Sequence, residues 1–268
     1  MTLEEQKAFF EDQGYLIVEG VVSSEALAEC EEEIQKMHVL AAELAANGDK
    51  RSGHFQREPY AKGKEQDGLP VLRKIEQTRD FSKVFKDLAA HSKLVPVVQH
   101  LIGQDLLLFR STLMLKPAFH GSSHGFHQDS AYWPMEPPSL CTVSIALTES
   151  DSENGCIKVI PESHKWGMQK WGHIARPQGA ELTDREDIDE SKAIEVPLKA
   201  GTALLFHSLC VHGSGPNNSA RARHTALYAY FPPTVRYIAR GKDTSRTFPV
   251  IAGLEGRKEL TMVAESAA

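Results

Sequence analysis

Short runs of β-forming residues recur after residue 105, and turn residues separate them from one another. The turns are rich in glycine, proline and asparagine, as in Gly213-Ser-Gly-Pro-Asn-Asn218. The predicted strands are Leu106–Lys116, Ser139–Thr148, Cys156–Ile160, Ala193–Leu198, Thr202–Phe206, Leu209–His212 and Thr225–Phe231. Residues 141–148 also alternate apolar and polar side chains, which is typical of a half-buried strand. Many short strands with such turns predict a sandwich, a jelly roll or a barrel.

The residues before this β-rich part follow a helical pattern. Apolar spacing and N-capping serines predict helices at 3–13, at about 25–46 and at about 80–102, the last bent near Pro96. A short apolar run from Tyr15 predicts a strand, and residues 49–68 lack periodicity and are predicted to be a loop. With 268 residues the chain fits one domain or two small ones. We expect one domain, 1–268, in which a mostly helical part (1–104) packs on a β core (105–233).

One segment, 166–191, interrupts the rhythm of the β core. It contains two tryptophans and ends in an acidic stretch. It is either a lid over the mouth of a barrel or a solvated loop, and we refer to it as the inserted segment.

The composition argues against several classes of protein. A formal net charge of −6 does not suit a general nucleic-acid or anionic-membrane binder. No apolar run approaches the roughly 18 residues that a membrane span requires, and the polar, acidic N-terminus is unlike a secretory signal. The four cysteines lie far apart in the sequence, which is typical of isolated, reduced thiols. We therefore expect a cytoplasmic protein, whose oligomeric state the sequence leaves open.

A polar motif in the β-rich part points to a metal. His127 and Asp129 follow a strand-like run and are two residues apart, so in an extended chain they face the same side while Gln128 turns away. The third candidate ligand is His212. Two histidines and one carboxylate on one side of a metal leave its other positions open, as in non-haem Fe(II) oxygenases. A His-x-Asp motif alone also occurs by chance.

Arginines follow the last candidate ligand. The turn after His212 leads into a predicted return strand that begins near Arg221 and Arg223. Such a hairpin would bring a guanidinium beside the metal. Because a guanidinium binds a carboxylate through two hydrogen bonds, it suits a dicarboxylate co-substrate chelated to that metal.

Several motifs together resemble the phytanoyl-CoA dioxygenase family over about residues 3–233. They are Leu113-Met-Leu-Lys-Pro117, Phe126-His-Gln-Asp-Ser130, Asn154-Gly-Cys-Ile-Lys-Val-Ile-Pro-Glu-Ser-His164, Gly201-Thr-Ala-Leu-Leu-Phe-His-Ser208 and His212-Gly-Ser214 with Arg223. The resemblance implies a mainly β fold, a double-stranded β-helix (jelly-roll, cupin-like) core with flanking helices. It also implies Fe(II), with 2-oxoglutarate and O2 as co-substrates.

The resemblance further implies roles for individual residues. His127, Asp129 and His212 would bind iron, and Arg223, helped by Ser214, would hold the distal carboxylate of 2-oxoglutarate. Arg221 is the alternative anchor. Lys116 matches a position that touches the co-substrate in some members, although a lysine at a strand end also needs no such role.

The expected reaction is hydroxylation, or a related oxidation, of a C–H bond in a small molecule, with release of succinate and CO2. Halogenating relatives lack the carboxylate ligand, whereas Asp129 is present. Candidate substrate contacts are Tyr132, Trp133, Trp171 and His173. Two alternatives remain open at this point: a cupin-like metal-dependent isomerase or lyase, and a non-catalytic metal- or ligand-binding protein on the same fold.

Overall fold

The computed structural model describes residues 1–61, 65–176, 181–239 and 241–266. Its α-helices are α1 (Leu3–Gln13), α2 (Ser24–Ala46), α3 (Thr78–Phe81), α4 (Lys83–Leu88) and α5 (Val95–Ile102). Short 3-10 helices occupy Lys50–His54, Pro59–Ala61, Asp129–Ala131, Ser163–Trp166, Glu190–Lys192 and Leu254–Gly256. No helix within these ranges is both long and apolar enough to cross a membrane.

Most of the regular structure is strand. The strands are β1 (Tyr15–Val18), β2 (Phe55–Arg57), β3 (Glu65–Gln66), β4 (Leu69–Pro70), β5 (Leu72–Glu76), β6 (Leu106–Lys116), β7 (Ser123–His127), β8 (Met135–Glu136), β9 (Cys141–Ala146), β10 (Ile157–Val159), β11 (Ala175–Arg176), β12 (Ile194–Val196), β13 (Ala203–His207), β14 (His212–Ser214), β15 (Arg223–Phe231), β16 (Arg236–Tyr237), β17 (Ser245–Ala252) and β18 (Glu259–Val263).

The first two helices begin and end at the residues that the sequence predicts. The Thr2 hydroxyl accepts from the backbone N–H of Glu5, whose side chain returns a bond to the Thr2 backbone, and α1 ends at Gly14 in the left-handed conformation. At the start of α2 the Ser23 hydroxyl accepts a hydrogen bond from the backbone N–H of Ala26. The buried face of α2 is a helical stripe of Cys30, Ile34, Met37, Ala41 and Leu44.

Two predictions for the N-terminal part are wrong. The predicted loop 49–68 contains β2, which pairs with β5 in the register Phe55 to Ile75. A pairing between distant segments leaves no local periodicity to detect. The predicted helix 80–102 is three helices, and the break precedes Pro96, which lies in the first turn of α5, where a missing N–H does not disturb the helix.

A large antiparallel sheet forms the centre of the molecule. Its order is β1-β13-β9-β15-β6-β17-β18, and β5, with β2 beside it, pairs along the same edge of β6 as β17. β17 pairs with the beginning of β6, at Leu106 and Leu107, and β5 pairs with its end, at Thr112 to Met114. The sheet therefore continues beyond residue 233 through β17 and β18.

A smaller antiparallel sheet faces the inner side of the large one. Its order is β11-β7-β14-β10-β12. β14 covers His212–Ser214 rather than the predicted Leu209–His212, so it begins where the predicted strand ends. β11 belongs to the inserted segment and pairs with β7, which adds a strand to this sheet. Residues 177–180 of the inserted segment lie outside the described residues.

The large sheet has two buried faces. Its outer face packs against α2, α4 and α5, and its inner face meets the small sheet, where Ala146 and Phe206 pack with Val159. Residues 141–146 do form a strand, as predicted, but the prediction that it is half-buried is wrong, because every residue of β9 is buried. The polar members of the alternation, Thr142 and Ser144, lie on the inner face and not toward solvent.

Candidate metal centre

The three predicted metal ligands lie together between the two sheets. His127 ends β7 and pairs directly with His212 at the start of β14. Gln128 is extended, with φ −109° and ψ 129°, so Asp129 follows on the same side as His127. The ligand atoms of all three side chains lie within 4.8 Å of one another. The geometric prediction from the sequence thus agrees with the structure.

Main-chain carbonyls orient both imidazoles. Nδ1 of His127 lies 2.8 Å from the Gly125 carbonyl oxygen, and Nδ1 of His212 lies 3.0 Å from that of Cys210. A carbonyl only accepts hydrogen bonds, so each Nδ1 carries the proton and each Nε2 presents its lone pair. The Nε2 atoms lie 3.6 and 3.9 Å from Oδ1 of Asp129. All three donors therefore point at one small volume.

The carboxylate of Asp129 is fixed from its other side. Its Oδ2 accepts a 2.7 Å hydrogen bond from the Thr142 hydroxyl on β9, which leaves Oδ1 for a metal. Burial alone would raise the pKa of Asp129, but the adjacent imidazoles of His127 and His212 and the Thr142 hydroxyl lower it to about 2. Burial and the neighbouring His127 lower the pKa of His212 to about 4. At neutral pH the pair is a carboxylate and a neutral imidazole, the forms that bind a divalent cation.

A cavity of about 180 Å³ opens on these ligands. It is lined from β5, β6, β7, β10, β14 and β15 by Arg73, Lys74, Arg110, Thr112, Met114, His124, Ile157, Ser214, Arg223 and Leu227, among others. Of the charged residues on its wall, only Asp129 is an acid. The cavity is therefore suited to anions.

The predicted co-substrate residues Arg223 and Ser214 both line this cavity. Arg223 is buried; one of its Nη atoms donates to the Gly155 carbonyl, but its Nε has no hydrogen-bond partner. Burial lowers the pKa of Arg223 to about 10, so the guanidinium is still charged at neutral pH. Arg221 instead forms ion pairs with surface carboxylates, the shortest with Asp151 at 2.5 Å, and does not line the cavity. The position of Arg223 favours it over Arg221.

The other predicted residues divide between the cavity and its surroundings. Tyr132 and Trp133 line the cavity, and the Tyr132 ring lies edge-on to His127. Trp171 and His173 are not among the lining residues. The ammonium of Lys116 donates to the main-chain carbonyls of Ser122 and Gly215 and is also absent from the cavity wall, which favours a structural role for it.

Gln128, between two ligands, has a role that the sequence did not reveal. Its Nε2 donates to the carbonyl of Gly167 at 3.0 Å, and its Oε1 accepts from the backbone N–H of Gln169 at 2.8 Å and from the Trp171 indole at 3.3 Å. Three hydrogen bonds therefore attach the inserted segment to the residue that lies between two of the metal ligands. This role depends on residues far along the chain, so no local pattern announces it.

Other residues on the cavity wall were also missed. Arg110, Thr112 and Met114 alternate along β6, and a period-two count over that run would have placed them on one face. Arg73 and Lys74 come from β5, which carried no signal of its own.

Comparison with known proteins identifies the family. The model of the phytanoyl-CoA dioxygenase family, PhyH, matches residues 10–225. This chain belongs to the phytanoyl-CoA dioxygenase family. The match covers most of the chain, including all three candidate ligands, and it confirms the resemblance seen in the sequence.

The names of two relatives agree with the predicted reaction class. The chain is 26% identical over 236 residues to a probable alpha-ketoglutarate-dependent hypophosphite dioxygenase of Stutzerimonas stutzeri, covering 86% of this chain and 78% of that protein. It is 23% identical over 241 residues to the peroxisomal phytanoyl-CoA dioxygenase of Bos taurus, covering 87% and 70%. Alpha-ketoglutarate is 2-oxoglutarate, the predicted co-substrate.

The fold prediction is confirmed as well. The solved structure of the non-heme monooxygenase ThoJ superposes with a TM-score of 0.73, at 23% identity, and covers 97% of this chain and 89% of its own. At that identity the likeness bears on the fold, a mainly β, cupin-like jelly roll.

Proposed function

We propose that this phytanoyl-CoA dioxygenase family member is an Fe(II)- and 2-oxoglutarate-dependent dioxygenase that hydroxylates an unactivated C–H bond of a small molecule. The observation that carries the proposal is the convergence of three ligand atoms on one side of a cavity whose wall also holds a buried guanidinium. Succinate and CO2 would be the products of the co-substrate.

The donor set fits iron. Two neutral imidazoles and one carboxylate on one side of a metal are the facial arrangement of non-haem Fe(II) oxygenases. Thr142 and the two main-chain carbonyls hold the ligands in place before metal binds. His127, Asp129 and His212 are therefore assigned as the metal ligands.

The guanidinium fits the co-substrate. Arg223 is buried, is charged at neutral pH and has an unpartnered Nε, and Ser214 lies on the wall of the same cavity. A buried cation without a carboxylate partner is costly, and a bound carboxylate would offset that cost. We assign Arg223 and Ser214 to the distal carboxylate of 2-oxoglutarate.

Iron, when bound, would activate dioxygen, whose reduction takes two electrons from the oxidative decarboxylation of 2-oxoglutarate and two from the substrate C–H bond. The protein's own contribution is to fix three ligands, orient the diacid through Arg223, and surround the centre with side chains that exclude water. Met114, Ile157 and Leu227 provide apolar wall for that purpose. Hydroxylation is preferred because a carboxylate, Asp129, occupies the third ligand position.

Anaerobic titration of the full chain with Fe(II) and 2-oxoglutarate tests the proposal. We expect a metal-to-ligand charge-transfer band that disappears in Asp129→Ala, because a ligand is lost. The band should require higher 2-oxoglutarate concentrations in Arg223→Ala, because only the anchor is lost. Arg221→Ala is the matched control and should titrate like the wild type, since its guanidinium pairs with surface carboxylates.

Two results would contradict the proposal. A metal-dependent isomerase or lyase would bind iron without developing the band on addition of 2-oxoglutarate, and a non-catalytic protein would develop it without releasing succinate under air. If neither result is obtained, measuring succinate release across a panel of metabolites would identify the substrate class.

We also propose a cytoplasmic location and a small-molecule substrate, with no nucleic-acid partner. All four cysteines are free and buried, as expected in a reducing compartment, and the net charge of −6 does not favour nucleic acid.

A further inference from the structure

A second cavity adjoins the metal cavity. It has a volume of about 310 Å³, and its wall includes Arg110, Thr112, Tyr132 and Trp133, which also line the metal cavity. The two cavities are therefore adjacent, and Arg110 lies on the wall of both.

Two guanidiniums stand on the wall of this second cavity. The Cζ atom of Arg110 lies 5.8 Å from the ring centroids of both Phe109 and Trp133. The Cζ atom of Arg246 lies 4.9 Å from the centroid of the same Phe109 ring and 5.0 Å from that of Phe248. The two guanidiniums therefore both lie against the Phe109 ring, where cation–π contacts stabilise them.

Neither guanidinium has an ion-pair partner within 4.0 Å among the described residues. The two carboxylates on the cavity wall are otherwise engaged: Glu76 pairs with Lys74 at 2.6 Å, and Asp243 accepts a 2.8 Å hydrogen bond from the Tyr237 hydroxyl. The main-chain contact of Arg246 is a long one, 3.4 Å to the Phe109 carbonyl. The acids act on the guanidiniums only at longer range, Glu76 on Arg110 and Asp243 on Arg246, and the two guanidiniums also repel each other. Because neither guanidinium is in direct contact with a carboxylate, a bound anion would gain a close pairing that the acids do not supply.

This cationic pair is separate from the 2-oxoglutarate anchor. Arg223 pairs with Lys116 at one end of β15, whereas Arg110 pairs with Ala229 farther along the same strand. Six residues of extended chain separate these registers by roughly 20 Å. Arg223 and Arg110 thus reach the wall of the metal cavity from backbone positions far apart in the sheet. A diacid anchored by Arg223 leaves Arg110 for another group.

We propose that Arg110 and Arg246 bind an anionic group of the primary substrate, a carboxylate or a phosphate. This inference rests on the proposed function, because it assigns the substrate class of the same site. Guanidiniums bind both oxyanions through paired hydrogen bonds, so the class is an acidic small molecule whose anion lies in the second cavity while its reacting carbon lies near the metal ligands.

The test is an equilibrium titration that needs neither iron nor 2-oxoglutarate. Inorganic phosphate and acetate are titrated separately, at constant ionic strength, into the full chain carrying Arg223→Gln, which removes the proposed co-substrate anchor. Arg73 and Lys74 also line the metal cavity and stay in place, so the loss of binding in the Arg110 and Arg246 variants is the deciding comparison. Binding is followed by calorimetry and by tryptophan fluorescence, since Trp133 lies beside Arg110. We expect saturable binding that weakens about tenfold or more in Arg110→Gln and in Arg246→Gln, the loss expected for one charge-assisted contact.

Arg257→Gln is the matched control, because Arg257 is exposed and lines neither cavity; it should bind as the parent does. Arg110→Lys keeps the charge and should retain part of the affinity. Tighter binding of phosphate would indicate a phosphate ester, and tighter binding of acetate a carboxylic acid. Absence of saturable binding, or equal affinity in the Arg110→Gln and parent proteins with unchanged thermal unfolding, would overturn the inference. The proposed function would instead be overturned if the wild-type protein developed no charge-transfer band in the anaerobic titration with Fe(II) and 2-oxoglutarate.

Discussion

The hydroxyl of Thr142 provides a sharp test of how the metal centre is held. In Thr142→Val a methyl group replaces the hydroxyl that donates to Oδ2 of Asp129 at 2.7 Å, with little change in volume. The carboxylate would keep its contacts to the two imidazoles on Oδ1 but lose its only side-chain donor on Oδ2. The substitution therefore isolates the contribution of a residue that does not touch the metal.

The size of the effect follows from the type of bond. A hydrogen bond to a charged group contributes about 1.5–3 kcal/mol to stability. Mutation of a residue that hydrogen-bonds to a metal ligand lowers metal affinity by about 10- to 100-fold. Part of the loss would fall on the metal-free protein, because Asp129 is buried and charged there too. We therefore expect the Fe(II) affinity to fall by about tenfold, the lower end of that range. The pKa of Asp129 should also rise, because its carboxylate loses a hydrogen-bond donor.

Anaerobic metal titration monitored by calorimetry measures this change. Ser144→Ala is the matched control: Ser144 lies two residues along β9 on the same inner face, and its buried hydroxyl has no hydrogen-bond partner. It should bind Fe(II) as the wild type does. Wild-type affinity in Thr142→Val, or an equal loss in both variants, would refute the view that this hydroxyl positions the carboxylate.

Two further predictions concern pH and the inserted segment. Burial and the neighbouring His164 lower the pKa of His207 from 6.5 to about 4, so between these values the unfolded chain binds a proton that the folded one does not. The free energy of unfolding should therefore fall as pH drops through this window, by a contribution on the order of 3 kcal/mol. Urea unfolding at a series of pH values should show a shallower fall in His207→Gln than in the wild type. An equal pH dependence in the two proteins would contradict the view that His207 is buried in its neutral form. Gln128→Leu removes three hydrogen bonds to the inserted segment and should speed amide hydrogen exchange at residues 166–176. Tyr132→Phe loses a single bond to the segment and should have a smaller effect. Unchanged exchange in Gln128→Leu would show that other contacts hold the segment.

The parts of this molecule that the sequence predicted are those with local signals. The caps of α1 and α2 and the alternation of long strands are written within a few neighbouring residues. The relation between His127 and Asp129 needs only an extended residue between them, and Gln128 is extended. His212 was joined to that pair from the turn and the arginines that follow it, and the resemblance to a family supported the choice, because no local pattern relates residues so far apart.

The parts that were missed depend on distant pairing. β2 and β5 are short. β5 adopts strand geometry because β6 offers it an edge, and β2 does so because it pairs with β5. The polar face of β9 indicated solvent by pattern alone, yet it faces the inside of the jelly roll, where Thr142 meets Asp129. An interior that binds a metal and charged ligands needs polar side chains, so hydrophobic alternation assigns its faces incorrectly.

The bonds from the two imidazoles to the carbonyls of Gly125 and Cys210 have a wider consequence. Each histidine takes its direction from the main chain two residues upstream, and not from any side chain of the cavity wall. Substitutions on that wall can therefore alter which molecule is accepted while the aim of the ligands stays the same. Such independence allows one reactive core to be reused for new chemistry by exchanging only its surroundings.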